Sequence, residues 1–170
     1  MSLLTEGLHP KPKPVRAVRA KRRKVKNSRQ LLEIQLDSIV KEIVLERDGG
    51  CVCPAPKSGH SAVRQPGHLL SRRNRAVRWD LRNVHEQCSS CNFLHTIKPE
   101  YYTAWFLNKM GTDSYIHLAR DGQELIKYQP YELLELLEQL RKIRERQVSD
   151  KSFRPYYTQA EIVSGAWSTK

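Results

Sequence analysis

The sequence predicts an α+β fold, in which a mainly helical domain surrounds a small zinc-stabilised unit. Apolar residues recur at helical spacing in residues 31–47 and 130–147, which predicts two long amphipathic helices. Residues 76–82 instead alternate apolar and polar side chains with the period of two that is typical of a strand. Four cysteines stand in two close pairs, a pattern that favours a metal site over a disulfide framework.

Length and composition indicate one compact domain with polar extensions. The 170 residues are 39% hydrophobic and 28% charged, which leaves room for one modest core. We expect a disordered basic arm at 1–30, a domain at 31–147 and a C-terminal tail at 148–170. The apolar segments are too short for a membrane span, and no signal peptide is visible. The expected location is therefore cytoplasmic, where thiols stay reduced.

The positive charge is concentrated near the start of the chain. Residues 1–30 contain ten Lys or Arg residues and one acidic residue, although the whole chain has a net charge of +12. Such a run repels itself into an extended segment and favours a polyanionic partner such as DNA. A solvated tail that only aids solubility is the alternative. The candidate nucleic-acid-binding residues of the arm are Lys21, Arg22, Arg23 and Lys24.

The first predicted helix covers residues 31–47. Asn27 or Ser28 can cap its start, and Gly49 and Gly50 follow its end. Its apolar positions fall on one face of the helix and are Leu32, Leu36, Ile39, Val40 and Ile43. We expect this helix to pack beside the functional site without contributing to it.

The cysteine pairs predict one structural zinc ion. Cys51, Cys53, Cys88 and Cys91 could form a tetrahedral thiolate set. One residue separates Cys51 from Cys53, an unusually short spacing, so His60 could replace one of them as a ligand. Four buried cysteines without a metal remain the alternative.

The segment between the cysteine pairs predicts a hairpin followed by a short helix. Residues 61–71 and 76–82 are expected to form two strands joined by a polar turn, and residues 88–96 the start of the helix. Further helices are predicted at 99–110, 113–120 and 130–147. The leucine-rich face of the last helix could be buried in the domain or could form the seam of a homodimer.

The order His68, Asn83, Asn92, with cysteine pairs on either side of His68, resembles the HNH (ββα-metal) nucleases. Residues 51–111 more closely resemble the phage NinG/Rap family of recombination endonucleases. The residues that carry this likeness are Gln65, Gly67, His68, Ser71, Arg72, Arg78, Trp79, Asp80, Asn83, Val84, His85, Gln87, Cys88, Cys91, Asn92, Tyr101 and Gly111.

The resemblance implies that a ββα-metal unit lies within the domain at 31–147 and that the chain is a metal-dependent endonuclease. It implies cleavage of branched DNA, namely Holliday junctions or D-loops. His68 would be the general base, oriented by Asn83, and His85 would bind metal or phosphate. Asn92 and Gln65 would hold a catalytic Mg²⁺ or Mn²⁺ ion.

Further cations near the motif would grip phosphates, namely Arg72, Arg73, Arg75 and Arg78. Gly67 stands where many HNH sites have an acid. This departure supports a second hypothesis, a zinc-stabilised DNA-binding module without catalysis. An RNA-binding or ribosome-associated zinc protein, suggested by the basic arm alone, is a third.

Overall fold

The computed structural model of the protein describes residues 27–54 and 60–169, and its α+β fold is mostly helical with one two-stranded sheet. The elements in chain order are α1 (Ser28–Asp48), β1 (Arg64–His68), β2 (Val84–Cys88), α2 (Ser89–Ile97), α3 (Glu100–Met110), α4 (Thr112–Asp121), α5 (Pro130–Ser149) and α6 (Gln159–Ser164), followed by a 3₁₀ turn at Ala166–Thr169. Residues 1–26 of the expected basic arm, including Lys21, Arg22, Arg23 and Lys24, lie outside the described residues. Residues 28–30 belong to α1.

Helix α1 begins where the sequence predicted a cap. The Asn27 side chain accepts a hydrogen bond from the Gln30 backbone N–H at 2.9 Å, and the Gln30 side chain accepts one from the Asn27 N–H at 3.1 Å. This reciprocal pair satisfies two of the unpaired donors of the first turn. The helix ends at Gly49, whose φ of +65° lies in the left-handed region that glycine adopts without strain.

Helix α5 packs against α1 through the predicted leucine face. The buried side chains of this face are Leu133, Leu136, Leu137, Leu140 and Ile143. They join Leu36, Val40 and Ile43 of α1 in the main core, whereas Leu134 is 54% exposed. Homodimerisation through α5 stays a prediction, and it would have to use the outer face of this helix because the leucine face is already covered.

The two strands form an antiparallel hairpin, but the second strand is not the one expected. β1 pairs with β2 in a register that places Gly67 opposite His85 and Gln65 opposite Gln87. The prediction of a strand at 76–82 is therefore wrong, and Asn83 lies just before the second strand instead of after it. Cys88, the last residue of β2, also caps α2.

Residues 76–82 alternate because their apolar side chains are buried inside a looped segment. Val77, Trp79 and Leu81 are fully buried. The Trp79 N–H donates to the Gln159 side chain at 2.9 Å, and the Leu81 N–H donates to the Tyr157 carbonyl at 3.0 Å. These two backbone donors thus pair with a distant part of the chain and not with a strand.

Helices α3 and α4 cover the other side of this looped segment. Tyr102 and Phe106 of α3 and Leu118 of α4 form a second apolar cluster with Leu69 and Val77. The boundaries of both helices agree with the predicted segments to within one residue. This cluster fixes one side of the loop that carries the functional motif.

The expected C-terminal tail packs on the core. Residues 148–149 complete α5, and Ile162 of α6 and Trp167 of the 3₁₀ turn are buried in the main cluster. Thr158 caps α6 by accepting from the Glu161 N–H at 2.9 Å. The aromatic residues of this segment therefore serve to cover the core. No described helix is long and apolar enough to cross a membrane.

Candidate active site and metal centre

Four side chains from three segments meet in a candidate metal centre. The Sγ atoms of Cys51, Cys88 and Cys91 and a ring nitrogen of His60 all lie within 4.8 Å of one another. Ligands on one tetrahedral zinc ion are about 3.3–3.8 Å apart, given bonds of about 2.0–2.3 Å. The cluster therefore needs only a small contraction to enclose the ion, and its donor set of three sulfurs and one imidazole is a common structural zinc set.

Local hydrogen bonds bring these ligands together. The Val52 N–H donates to the Glu86 carbonyl at 2.9 Å, which holds the first cysteine segment against β2. The Cys91 N–H points to the Cys88 Sγ at 3.5 Å, so that both thiols face the same side at the start of α2. The Ser61 and Ser89 hydroxyls lie 2.6 Å apart and tie the segment next to His60 to α2.

Cys53 is the predicted ligand that the four-residue set leaves out. It is buried and packs in the same sulfur cluster as Cys51, Cys88 and Cys91. His60 takes its place, which is the substitution that the short Cys51–Cys53 spacing suggested. The described residues thus offer five donors for an ion that takes four.

The thiols of the cluster do not behave alike. Burial opposes ionisation of Cys88, but hydrogen bonds from the backbone N–H groups of Cys91 and Ser61 and from neighbouring thiols lower its pKa to about 6. Burial and the surrounding thiols raise the pKa of Cys91. One thiolate surrounded by protonated thiols is the state expected of a metal-free cluster, since a bound zinc ion would displace the remaining protons.

A cavity of about 410 Å³ next to this centre gathers several of the predicted site residues. It lies between α1 and α2, with β1 and the following loop contributing further side chains. Its lining residues are Asp37, Val40, Pro66, His68, Leu69, Ser71, Arg72, Arg78, Trp79, Asn92, His95 and Thr96. The structure therefore brings His68 and Asn92 to one site, as the motif implied.

His68, the last residue of β1, presents a neutral imidazole in this cavity. Its Nε2 lies 3.1 Å from the Arg78 carbonyl oxygen, which can only accept, so Nε2 carries the proton and Nδ1 keeps a lone pair. Burial lowers the pKa of His68 to about 4, more than the hydrogen bond to the Arg78 carbonyl raises it. The ring is thus neutral at neutral pH, with the lone pair on Nδ1.

Asn83 closes the loop that connects the two strands. Its Oδ1 accepts from the Leu70 N–H at 2.7 Å, and its Nδ2 donates to the carbonyls of Leu70 at 3.1 Å and Val77 at 2.8 Å. The Asn83 carbonyl accepts a further bond from the Leu69 N–H at 2.9 Å. Asn83 is fully buried, so it holds the backbone next to His68 and does not enter the cavity.

Gln65 contacts Asn92 directly. The Asn92 Nδ2 donates to the Gln65 Oε1 at 2.9 Å. The Gln65 oxygen, expected to bind the catalytic ion, is therefore engaged in orienting Asn92, and the Asn92 Oδ1 is the carboxamide oxygen left for a cation. Gly67 is also explained, because a Cβ there would collide with the Gln87 side chain. An acid at position 67 would require the Gln87 side chain to move.

His85 lies away from the cavity in an aromatic cage. Its Nδ1 is 2.9 Å from the Tyr102 hydroxyl, which itself donates to the Gly67 carbonyl at 3.2 Å. The ring packs edge-on against Trp105 at 4.7 Å between centroids and is fully buried. Burial lowers the pKa of His85 well below its ordinary value. As placed, this imidazole reaches neither a phosphate nor an ion in the cavity.

The four arginines expected to grip phosphates divide into two pairs. Arg78 makes two hydrogen bonds to Asp37, at 3.0 and 2.6 Å, and Arg75 makes an ion pair with Glu33 at 3.2 Å. These two cations are engaged by α1. Arg72 and Arg73 are exposed, and Arg72 lines the cavity, so they remain available for phosphate groups.

The motif did not reveal two charged residues of α1. Asp37 lines the cavity, and Arg47 is buried with hydrogen bonds to the carbonyls of Leu81 at 2.6 Å, Val84 at 2.7 Å and Pro155 at 3.1 Å. Only their positions in α1 could have indicated their roles. Asp37 directly follows the buried Leu36, and Arg47 falls four residues after Ile43 on the apolar face.

The comparisons with known proteins identify the family of the chain. No curated protein and no solved structure matches the chain. The sequence profile of the family described as "Bacteriophage Lambda NinG protein" matches residues 11–149. Since this match covers well over half of the 170 residues, the chain belongs to the NinG family.

Proposed function

We propose that the protein is a metal-dependent DNA endonuclease that cleaves branched recombination intermediates, Holliday junctions or D-loops, in the host cytoplasm. The observation that carries this proposal is the placement of His68 and Asn92 in one cavity beside the Cys/His cluster. Membership of the NinG family supports a role in phage recombination.

The residues of the cavity suit phosphodiester hydrolysis. His68 offers an unprotonated Nδ1 that can take a proton from an attacking water molecule. Asn92, held by Gln65, offers a carboxamide oxygen of the kind that Mg²⁺ and Mn²⁺ prefer. A divalent ion at that oxygen would bind the scissile phosphate and stabilise the charge that develops on it. Zinc at the Cys/His cluster would have a structural role.

Exposed cations support DNA as the substrate. Arg72 lies at the cavity, Arg73 is its exposed neighbour, and the whole chain carries a net charge of +12. Contacts of this kind bind phosphates without reading sequence, as expected for an enzyme that selects DNA by its shape. Lys21, Arg22, Arg23 and Lys24 would extend this contact along the DNA backbone.

A zinc-stabilised DNA-binding module without catalysis is the second candidate. The observation that favours it is the scarcity of free oxygen ligands, because the Gln65 oxygen is engaged by Asn92 and the Asp37 carboxylate by Arg78. Such a module would keep the Cys/His cluster and the exposed arginines. It would bind branched DNA with the same affinity in the presence and absence of Mg²⁺.

The decisive experiment is cleavage of linear, flapped, D-loop and four-way DNA substrates with Mg²⁺, with Mn²⁺ and with EDTA. The endonuclease proposal expects cleavage of the branched substrates that requires the divalent ion and is lost in His68→Ala. Binding without cleavage under every ion would favour the second candidate.

A further inference from the structure

Asp37 contributes the one carboxylate among the described residues that line the cavity. It lies on α1, far in sequence from the motif, and its side chain is about one-third exposed. Neither the zinc cluster nor the roles given above to His68 and Asn92 use it. An acidic side chain facing a site that handles anionic DNA requires a reason, because its charge repels phosphate.

Three hydrogen bonds define what Asp37 does. Its Oδ1 accepts from the Arg78 Nε at 3.0 Å and from the Trp79 Nε1 at 2.9 Å, and its Oδ2 accepts from the Arg78 Nη2 at 2.6 Å. The guanidinium and carboxylate form the bidentate pair that fixes both groups in one geometry. Trp79 is fully buried, so the indole end of this arrangement is fixed by the core.

Asp37 binds the side chain of Arg78, the residue whose backbone carbonyl contacts His68. The Arg78 carbonyl oxygen lies 3.1 Å from the His68 Nε2. A carbonyl in this position keeps the proton on Nε2 and leaves Nδ1 as the proton acceptor. We propose that Asp37 is a positioning residue for His68, acting through Arg78 and Trp79. This inference rests on the proposed function for its role in cleavage, although its effect on the imidazole does not require DNA.

The same contacts argue against Asp37 as a ligand of the catalytic ion. Both carboxylate oxygens are engaged, and the Arg78 guanidinium stands directly against them. A divalent cation at this carboxylate would face a fixed positive charge within a few ångströms. The arrangement resembles a second layer of contacts that orients a base, and such layers are typically worth 10- to 100-fold in activity.

Glu33 provides a matched control one turn earlier on α1. It also contacts Arg78, at 3.3 Å from Nη1 to Oε2, and it pairs with Arg29 and Arg75. Glu33 does not line the cavity, and the Trp79 indole donates to Asp37 and not to Glu33. Glu33→Gln removes one negative charge from α1, as Asp37→Asn does, and leaves the Asp37 contacts with Arg78 and Trp79 in place.

The test combines the tautomer of His68 with the kinetics of cleavage. In full-length, zinc-loaded protein without DNA, imidazole ¹⁵N resonances at pH 8 should show His68 protonated on Nε2 in the wild type and in Glu33→Gln. Asp37→Asn, which keeps the size of the side chain, should give a mixture of tautomers. It should also lower kcat about 10- to 100-fold with KM and the Mg²⁺ dependence unchanged.

A second variant guards against a simple loss of folding. Arg78→Lys keeps the positive charge but lacks the planar fork, so it should reproduce the tautomer mixture of Asp37→Asn, and the double variant should be no worse than either single one. A wild-type tautomer in Asp37→Asn, or a decrease in activity that higher Mg²⁺ or Mn²⁺ reverses, would overturn the proposal. If the wild type cleaves no DNA, the proposed function fails, and the tautomer alone still decides the role of Asp37.

Discussion

The α1–α5 pair and strand β2 of the β1–β2–α2 unit are both buried, but they are held by different chemistry. Between α1 and α5 most of the covered side chains are aliphatic, and Leu36, Leu136 and Leu140 are fully inaccessible. Every residue of β2 is also buried, but four of its five residues are polar or metal-binding, namely His85, Glu86, Gln87 and Cys88. The helical pair is held by removal of apolar surface from water, and the small unit by hydrogen bonds and a cluster of metal-binding groups. The two regions should therefore be destabilised by different substitutions.

The largest effect is expected from breaking the metal centre. Cys91→Ser removes a central donor of the Cys/His cluster, and structural zinc in zinc-finger peptides contributes about 10–16 kcal/mol of apparent binding energy at pH 7. We expect loss of zinc, loss of the hairpin and loss of cleavage, while α1 and α5 stay paired. Elemental analysis together with hydrogen exchange of β2 and α5 amides measures both parts. Equal loss of protection in the two regions would contradict their independence.

The next largest effect is expected from variants that slow cleavage and leave the fold intact. His68→Ala should lower the cleavage rate about 10²- to 10⁴-fold, the usual contribution of a general base, with zinc content and DNA binding unchanged. Asn92→Ala should also slow cleavage, but higher Mg²⁺ or Mn²⁺ should restore part of its rate because it weakens ion binding instead of removing the base. Rescue of His68→Ala by either ion would assign the imidazole to the metal instead.

A cavity-forming substitution between α1 and α5 tests the stability of the other region. Leu140→Ala should lower the free energy of unfolding by about 2–5 kcal/mol, since the side chain is fully buried between α1 and α5. Zinc content should stay at one ion per chain. Leu134→Ala on the same helix is the control, because Leu134 is 54% exposed and should change stability little. Urea unfolding measures both, and similar losses in the two variants would refute the assigned packing.

The smallest effect on zinc content is expected from removing Cys53, the fifth potential donor beside the four-residue metal centre. Cys53→Ser should leave zinc content near one ion per chain, because His60 completes the set with Cys51, Cys88 and Cys91. His60→Ala should lower zinc affinity unless Cys53 moves in to replace it. The double variant should then lose zinc. If Cys53→Ser alone loses the ion, the all-cysteine set expected from the sequence is the correct one.

The helices could be predicted from the sequence because each has an apolar face and recognisable ends. Asn27 and Gly49 mark α1, and Pro130 opens α5, so their bounds followed from local rules. The second strand could not be found in this way. Val77, Trp79 and Leu81 satisfy a strand pattern, yet their burial depends on residues 157–159, about 80 positions later. Local periodicity does not distinguish a strand from a buried loop.

The residues that form the site could be predicted from the sequence, but the role of each residue could not. The motif contains both His68 and His85, and only the fold puts one in a cavity and the other among Tyr102 and Trp105. Arg78 was expected to contact phosphate, but in the structure it is paired with Asp37 of α1. Long-range pairing decides which charges are free, and one sequence does not reveal that pairing.

The buried Arg47 has a consequence for the order of events during synthesis. Its guanidinium donates hydrogen bonds to the carbonyls of Leu81 and Val84, on either side of Asn83, and to that of Pro155. The Leu81 and Trp79 amides likewise depend on Tyr157 and Gln159. Since chains emerge from the ribosome from the N-terminus, the loop beside His68 cannot lock until residues 155–159 have been made. A nascent chain that already contains the whole motif would therefore lack the proposed cleavage activity.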